Sequence, residues 1–379
     1  MAIRSPFWET ASAECERGYG LPRHLSALAR NDMLLNDIKH NLPVQSPSRV
    51  PTGYSLNCQL STINYQLSTV NFPMNYYFAP MEGLTDSIYR REHHRFFGGV
   101  DRYYMPCFSP TVHRSLTARE IRELPPADSA PFTAVPQVLT KHAEDFLWAA
   151  EVIRDLGYRE INLNIGCPSG TVVAKGKGSG MLRELDELAR FFDSVFAASP
   201  LPISVKTRIG LEAEEEFVTI LELYNQYPIQ ELTIHPRVRK QFYDGQVHRE
   251  WFTYAVAYSK NPLCFNGDIR TLSDIDALRK EYPGLNAVMI GRGLIADPGM
   301  LSGGTDIDTL EAFLIALMDD YAVEFASCRN ALFRMKENWA HLHDRFEGSD
   351  RLWKKMRKTT DAAEFRRLST ELLHTCPMK

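Results

Sequence analysis

Along residues 74–304 the apolar positions follow two alternating rhythms. Short apolar runs closed by turn residues read as strands. Stretches where apolar residues return every third or fourth position read as helices. On this basis strands are expected at 76–80, 101–105, 132–139, 160–165, 203–206, 231–235, 263–266 and 287–290. Helices are expected at 86–97 and 143–156, with a short one at 117–124. Another begins near Met181, where Leu185, Leu188, Phe192, Val195 and Phe196 form a core-facing stripe. Eight strands alternating with helices over about 230 residues fit an α/β TIM barrel, (β/α)8, which typically needs about 250. A doubly wound sheet would call for a Gly-rich fingerprint after its first strand, and that fingerprint is missing.

The rhythm changes at both ends. From about residue 305 only the helical spacing remains, at 309–325, 329–345 and two shorter stretches near Leu352 and Phe365, so 305–379 is expected to form a small all-helical domain. Residues 1–73 show no strand–helix alternation. They contain a turn-rich stretch at 43–53 and a repeated Gln-Leu-Ser-Thr at 59–62 and 66–69. A short amphipathic helix at 25–38 is the structured alternative, but the expectation for this segment is disorder, with Met74 standing where the folded protein would begin.

Composition narrows the setting more than the chemistry. With 379 residues and a net charge of −4, the chain has no global nucleic-acid signature, so any RNA contact must come from local basic patches. Seven cysteines without close pairs argue against a disulfide framework or a CxxC metal site, and point to a reduced, cytoplasmic setting. No apolar run reaches membrane-spanning length. No metal and no membrane partner is expected, and the chain is expected to be monomeric.

Candidate chemistry gathers where the expected strands end. The first ends in Pro80-Met81-Glu82, the third in Gln137, the fifth in Lys206-Thr207-Arg208 and the sixth in His235-Pro236-Arg237. The seventh gives Asn266-Gly267-Asp268 and the eighth Gly291-Arg292-Gly293. Each alone has an ordinary explanation as a solvated strand end or a turn. Together they mark the face on which a barrel builds its site. The last two motifs suit a phosphate, since glycines admit backbone N–H groups and a guanidinium can pair with the oxygens. The fourth strand ends in Asn164-Ile165-Gly166-Cys167-Pro168, followed by a flexible Gly/Lys-rich loop. Most free cysteines are buried small hydrophobes. A thiol at this end of a barrel strand, beside a basic loop, is better placed for chemistry.

That last string resembles the active-site segment of the bacterial, FMN-dependent tRNA-dihydrouridine synthases, Asn-x-Gly-Cys-Pro before a Gly-rich loop. The resemblance covers 76–379 and is strong over the barrel. It implies FMN held at its phosphate by Asn266, Gly267, Asp268, Gly291 and Arg292, and at its ring by Pro80, Met81, Glu82, Gln137, Lys206 and His235. It implies NADPH or NADH as reductant, hydride delivery from reduced FMN to C6 of a uracil ring, and protonation of C5 by Cys167 as a neutral thiol. Asn164 would hydrogen-bond the base. The base must leave its stack to enter the site, so tRNA phosphates would meet Lys175, Lys177, Arg237, Arg239, Lys240 and the cluster at 351–358. His235 is followed by Pro236, where many members of that family have glycine.

Two other readings compete. A flavin barrel acting on a free pyrimidine, like dihydroorotate dehydrogenase, would need neither the basic loop nor the helical appendage. A flavin-free RNA-binding protein on a decayed barrel would have no reason to keep Cys167, Lys206 and both phosphate motifs.

Overall fold

The computed structural model describes residues 74–111 and 113–379, so the expectations for 1–73, disorder and the helix at 25–38 included, lie outside the described residues. The strands are β1 (Asn75–Phe78), β2 (Arg102–Tyr104), β3 in two pieces (Ala134–Val135 and Gln137–Val138), β4 (Ile161–Ile165), β5 (Ile203–Gly210), β6 (Leu232–Val238), β7 (Leu263–Asn266) and β8 (Ala287–Ile290). All pair in parallel. Their order starts at the first piece of β3, runs through β2, β1, β8, β7, β6, β5 and β4, and ends at the second piece of β3.

Both ends of that order belong to one strand. Pro136 separates the pieces because it has no N–H for the ladder, yet the bonding passes across it. Met105 N–H donates to Val135 O at 2.9 Å on one side, and Asn162 N–H donates to Pro136 O at 2.9 Å on the other. The sheet is therefore a closed eight-stranded barrel, the expected TIM architecture.

Residues of β4 explain its double burial. Ile161, Leu163 and Ile165 belong to the large core between strands and helices, while Asn162 and Asn164 alternate onto the interior face. The interior is filled by a small separate cluster around Tyr77, Tyr104, Val135, Cys264 and Met289. Outside stand α1 (Ser87–Phe96), α2 (Ala118–Glu123), α3 (Ala143–Asp155), α4 (Gly170–Ala174), α5 (Leu185–Ala198), α6 (Phe217–Tyr224), α7 (Arg249–Tyr258), α8 (Leu272–Glu281) and α9 (Arg292–Ala296). Helix α1 starts where Asp86 caps it, accepting from Tyr89 N–H at 3.0 Å.

Three expectations need correction. No helix begins at Met181: that residue lies in a 3₁₀ turn, Gly178–Arg183, and α5 starts at Leu185. The stretch after Cys167 is not an open loop, because α4 and this turn fold it back, with Ser179 N–H and Oγ both donating to Cys167 O at 3.1 and 2.8 Å. Finally, β5 and β6 continue past their expected ends. After Arg208 pairs with His235, Gly210 pairs with Val238, so β6 carries one extra residue there, a bulge around Pro236. Lys206 and His235 are thus strand residues rather than strand ends.

The C-terminal helices are α10 (Ile307–Glu324), α11 (Cys328–Leu342), α12 (Asp350–Lys358) and α13 (Ala362–Thr375). They seat against the start of the barrel. Phe313 meets Tyr89, Phe96 and Phe97 edge-on at 5.2–5.9 Å between ring centres, and Tyr321 OH donates to Asp86 at 2.8 Å.

Candidate active site

The carboxyl ends of the strands open into a cavity of about 450 Å³. Its wall takes Pro80, Met81 and Glu82 after β1, Gln137 from β3, Asn164 and Cys167 at the end of β4, and Lys206 from β5. His235 comes from β6, Asn266, Gly267 and Asp268 from the end of β7, and Gly291 and Arg292 from the end of β8. One cavity therefore gathers all these residues singled out from the sequence. Lys175 and Arg237 are not among the lining residues. Lys175 is exposed on the covering loop. Arg237 was expected on the RNA-facing surface and is instead 1% exposed.

Cys167 is half-buried and held by its backbone. Asn164 Oδ1 accepts from Gly166 N–H at 3.0 Å and Cys167 N–H at 2.9 Å, and Asn164 Nδ2 donates to Gln137 Oε1 at 2.8 Å. Both lone-pair directions of that oxygen are thus engaged within the protein. Gly178 closes over the turn with φ +58°, where a Cβ would lie 2.9 Å from Cys167 Cβ and 3.0 Å from its carbonyl oxygen. Only glycine fits there. Arg208 ties the turn to the next loops, donating to Gly166 O at 2.9 Å and Val238 O at 3.1 Å.

The far wall is cationic. Lys206 Nζ donates to Asn266 Oδ1 at 2.7 Å. Although it opens onto the cavity, close packing lowers its pKa to about 8, with repulsion from Arg208 adding to the effect. Burial, followed by the charges of Arg208, Lys206, Arg237 and Arg292, holds His235 neutral. Its Nε2 lies 3.0 Å from Arg237 Nη1. Arginine can only donate, so Nε2 accepts and the ring proton sits on Nδ1. Asp268, with φ +44°, accepts from both Arg237 and Arg292, the latter at 2.6 Å. Burial works to raise its pKa, but the hydrogen bond and charge of Arg237, with Arg292 beside it, outweigh that and hold it below the usual carboxylate range.

Besides Arg208, which the sequence singled out beside Lys206 and which is buried here, the lining includes residues the sequence did not single out. Cys107 brings a second thiol, its pKa pushed up to about 12 by burial and then by Glu82 and Cys167 nearby. Tyr243, 54% exposed, stacks near His235 with ring centres 6.3 Å apart, under the guanidinium groups of Arg208 and Arg292. His341 reaches the cavity from α11, its pKa lowered by burial and then by Arg292. Only Tyr243 carried a signal, an aromatic residue three positions after the basic run at 237–240.

The site suits a phosphorylated aromatic ligand. Gly291 leaves room that a Cβ would take up against Met81 Sδ at 3.2 Å, and Gly293 admits no Cβ, which would fall 2.3 Å from Ile269 O. On that wall the cations Lys206, Arg208 and Arg292 outnumber the single paired carboxylate Asp268.

The family model for Dihydrouridine synthase (Dus) matches residues 77–374. A probable tRNA-dihydrouridine synthase of Rickettsia bellii is 30% identical over 230 residues, covering 60% of this chain and 69% of that protein. A tRNA-dihydrouridine(16) synthase of Neisseria meningitidis is 26% identical over 317 residues, covering 77% of this chain and 93% of that protein. Among solved structures, morphinone reductase aligns at 12% identity with a TM-score of 0.44, over 62% of this chain and 86% of that one.

Proposed function

This chain belongs to the dihydrouridine synthase family, and from that premise we propose how its barrel reduces the C5–C6 double bond of uridine in tRNA. The observation that carries the proposal is Cys167, a thiol presented at the open end of β4 opposite a cationic wall within one cavity. The cofactor is FMN, with NADPH or NADH as the reductant. When bound, FMN supplies the hydride that C6 receives. The backbone of the turn at Asn266, Gly267 and Asp268, with Gly291 and Arg292, would hold its phosphate end, and Pro80, Met81, Glu82, Gln137, Lys206 and His235 its ring. The glycine cradle and the cationic side chains of Lys206, Arg208 and Arg292 on the cavity wall support this fit.

The chain's own residues divide the remaining work. Cys167 donates its thiol proton to C5 from its place on the cavity wall. Lys206, charged below about pH 8, stabilises negative charge at the ring edge. Asn164 holds the turn that carries Cys167, since its oxygen is already engaged there. Arg237 acts from behind the wall, fixing the tautomer of His235 and the carboxylate of Asp268. Lys175 and the exposed Lys354 and Lys355 of α12 meet tRNA phosphates. The match to the Neisseria protein is longer than the barrel, which makes uridine 16 the first position to test.

The purified protein should be yellow with bound FMN, and with NADPH should form dihydrouridine in tRNA that lacks it. A colourless protein, or one that reduces a free pyrimidine such as orotate and leaves tRNA untouched, refutes this reading.

A further inference from the structure

A line of buried polar side chains runs through the barrel from the cavity to the opposite end. Asn164 Nδ2 donates to Gln137 Oε1 at 2.8 Å, Gln137 Nε2 to Asn162 Oδ1 at 2.7 Å, and Asn162 Nδ2 to Ser204 Oγ at 2.8 Å. Ser204 Oγ then donates to Glu160 Oε1 at 2.5 Å, and Glu160 Oε2 accepts from Arg102 at 2.8 Å. Gln137, Asn162 and Ser204 are at most 1% exposed, so water does not compete for these bonds.

Each amide in this line could face either way, since its oxygen and nitrogen are nearly the same size. The two ends remove that freedom. At the cavity, Gly166 and Cys167 present backbone N–H groups, which only an oxygen can satisfy, so Asn164 must turn Oδ1 to them. At the far end, Glu160 is a carboxylate between Ser204 and Arg102 and can only accept. Both ends impose the same direction on every bond between them.

We propose that Glu160 is a positioning residue for Cys167: its carboxylate sets the direction of the Ser204–Asn162–Gln137–Asn164 line, and so fixes the amide that holds the cysteine turn. The proposal rests on the role given above to that turn. Replacing Glu160 by Gln shows the logic. Arg102 can only donate, so the new side chain turns its oxygen to Arg102 and its NH2 to Ser204. The Ser204 hydroxyl proton, having lost its carboxylate acceptor, goes to Asn162, which flips, and Gln137 and Asn164 flip in turn. The line would end with Asn164 Nδ2 facing two N–H groups. The conflict, donor against donor, has been carried to the site from the other end of the barrel.

The test is hydrogen exchange on the holoenzyme, resolved to single amides, in Glu160→Gln, Ser204→Ala and the double variant. Glu160→Gln should speed exchange of the Gly166 and Cys167 amides by about tenfold, the loss of one hydrogen bond at each. It should slow oxidation of the reduced enzyme by tRNA while leaving tRNA affinity unchanged. Ser204→Ala cuts the line without touching the Arg102 pair, and should also speed those two amides. In that background Glu160→Gln should change them no further, because no path remains. A residue that merely stabilises the barrel floor would act equally in both backgrounds, and that result overturns the proposal. Should Glu160→Gln fail to fold, Ser204→Ala decides alone: unaltered exchange at Cys167 refutes the line. The exchange measurement involves no tRNA, so it can fail while the proposed function stands, and the reverse.

Discussion

Replacing Cys167 with Ala separates fold from chemistry by an amount that can be worked out in advance. The contacts that shape this turn go to atoms alanine keeps. Asn164 bonds the backbone N–H groups, Ser179 bonds the carbonyl, and Gly178 packs against Cβ and O. Only Sγ is removed, from a half-buried side chain, worth about half of the 0.8 kcal/mol of one fully buried methylene, or roughly 0.4 kcal/mol. Loss of a positioned general acid costs about 10²- to 10⁴-fold, or roughly 2.7–5.5 kcal/mol on the barrier. The variant should therefore keep its flavin, its melting temperature to within a degree or two, and its rate of reduction by NADPH. Oxidation of the reduced enzyme by tRNA, followed anaerobically by rapid mixing, should fall by the full factor. Cys107→Ala is the matched control, a thiol on the same cavity that should leave this rate within a few-fold of normal. The reasoning is refuted if reduced Cys167→Ala enzyme reacts with tRNA at the normal rate. It is equally refuted if flavin content and both half-reactions fall together, as for a cysteine that only packs.

Other outcomes follow from single contacts. Gly293→Ala would place a Cβ 2.3 Å from Ile269 O, whereas a Cβ at Gly291 meets Met81 Sδ at 3.2 Å and Ala79 Cβ at 3.4 Å on the cavity wall; the first should lose about 1–3 kcal/mol in denaturant unfolding, together with flavin content, while the second should keep most of its stability and lose flavin. Lys206 has a folded pKa of about 8 against 10.5 in the unfolded chain, so between these values the unfolded chain binds the extra proton. The flavin-free protein should thus gain stability as pH rises through that window, and a gain equally large in Lys206→Met, measured by urea midpoints, would show that Lys206 is not its source. Reversing the exposed Lys354 and Lys355 to Glu should weaken tRNA binding and flatten its salt dependence by about 0.7–0.9 for each phosphate that is no longer neutralised. Unaltered tRNA affinity across salt concentrations would make these lysines an ordinary solvated helix face.

The sequence showed clearly what local rules decide. Strands β7 and β8 match their expected limits because each is a continuous apolar run stopped by a glycine turn, at Gly267 and Gly291. The ends of β5 and β6 were misplaced because Lys206, Arg208 and Arg237 read as solvated stops, whereas the two strands pair onward to Gly210 and Val238 and turn those charges toward the barrel mouth. The alternation of Asn162 and Asn164 with Ile161, Leu163 and Ile165 is plain in the sequence. What they touch is not, because Gln137 and Ser204 lie 25 and 42 positions from Asn162. Arg237 is the sharpest case. A basic residue in a basic run reads as surface, and only the bulge around Pro236 carries it inside, onto Asp268. His341 comes from a helix whose docking no periodicity encodes.

That docking bears on how the chain is made. The face of α1 formed by Tyr89, Phe96 and Phe97 is covered by Phe313, and its cap Asp86 is bound by Tyr321, 235 positions later. Phe313 follows Tyr89 by 224 positions, so at a synthesis rate of about 5–20 residues per second the first helix of the barrel keeps a bare aromatic face for roughly 11–45 s on the ribosome. A nascent chain stalled before α10 would carry a sticky patch at its oldest end. Removing the C-terminal helices would therefore do more than shorten the chain: it would leave the finished barrel permanently in the state that its growing precursor passes through, prone to aggregate through α1.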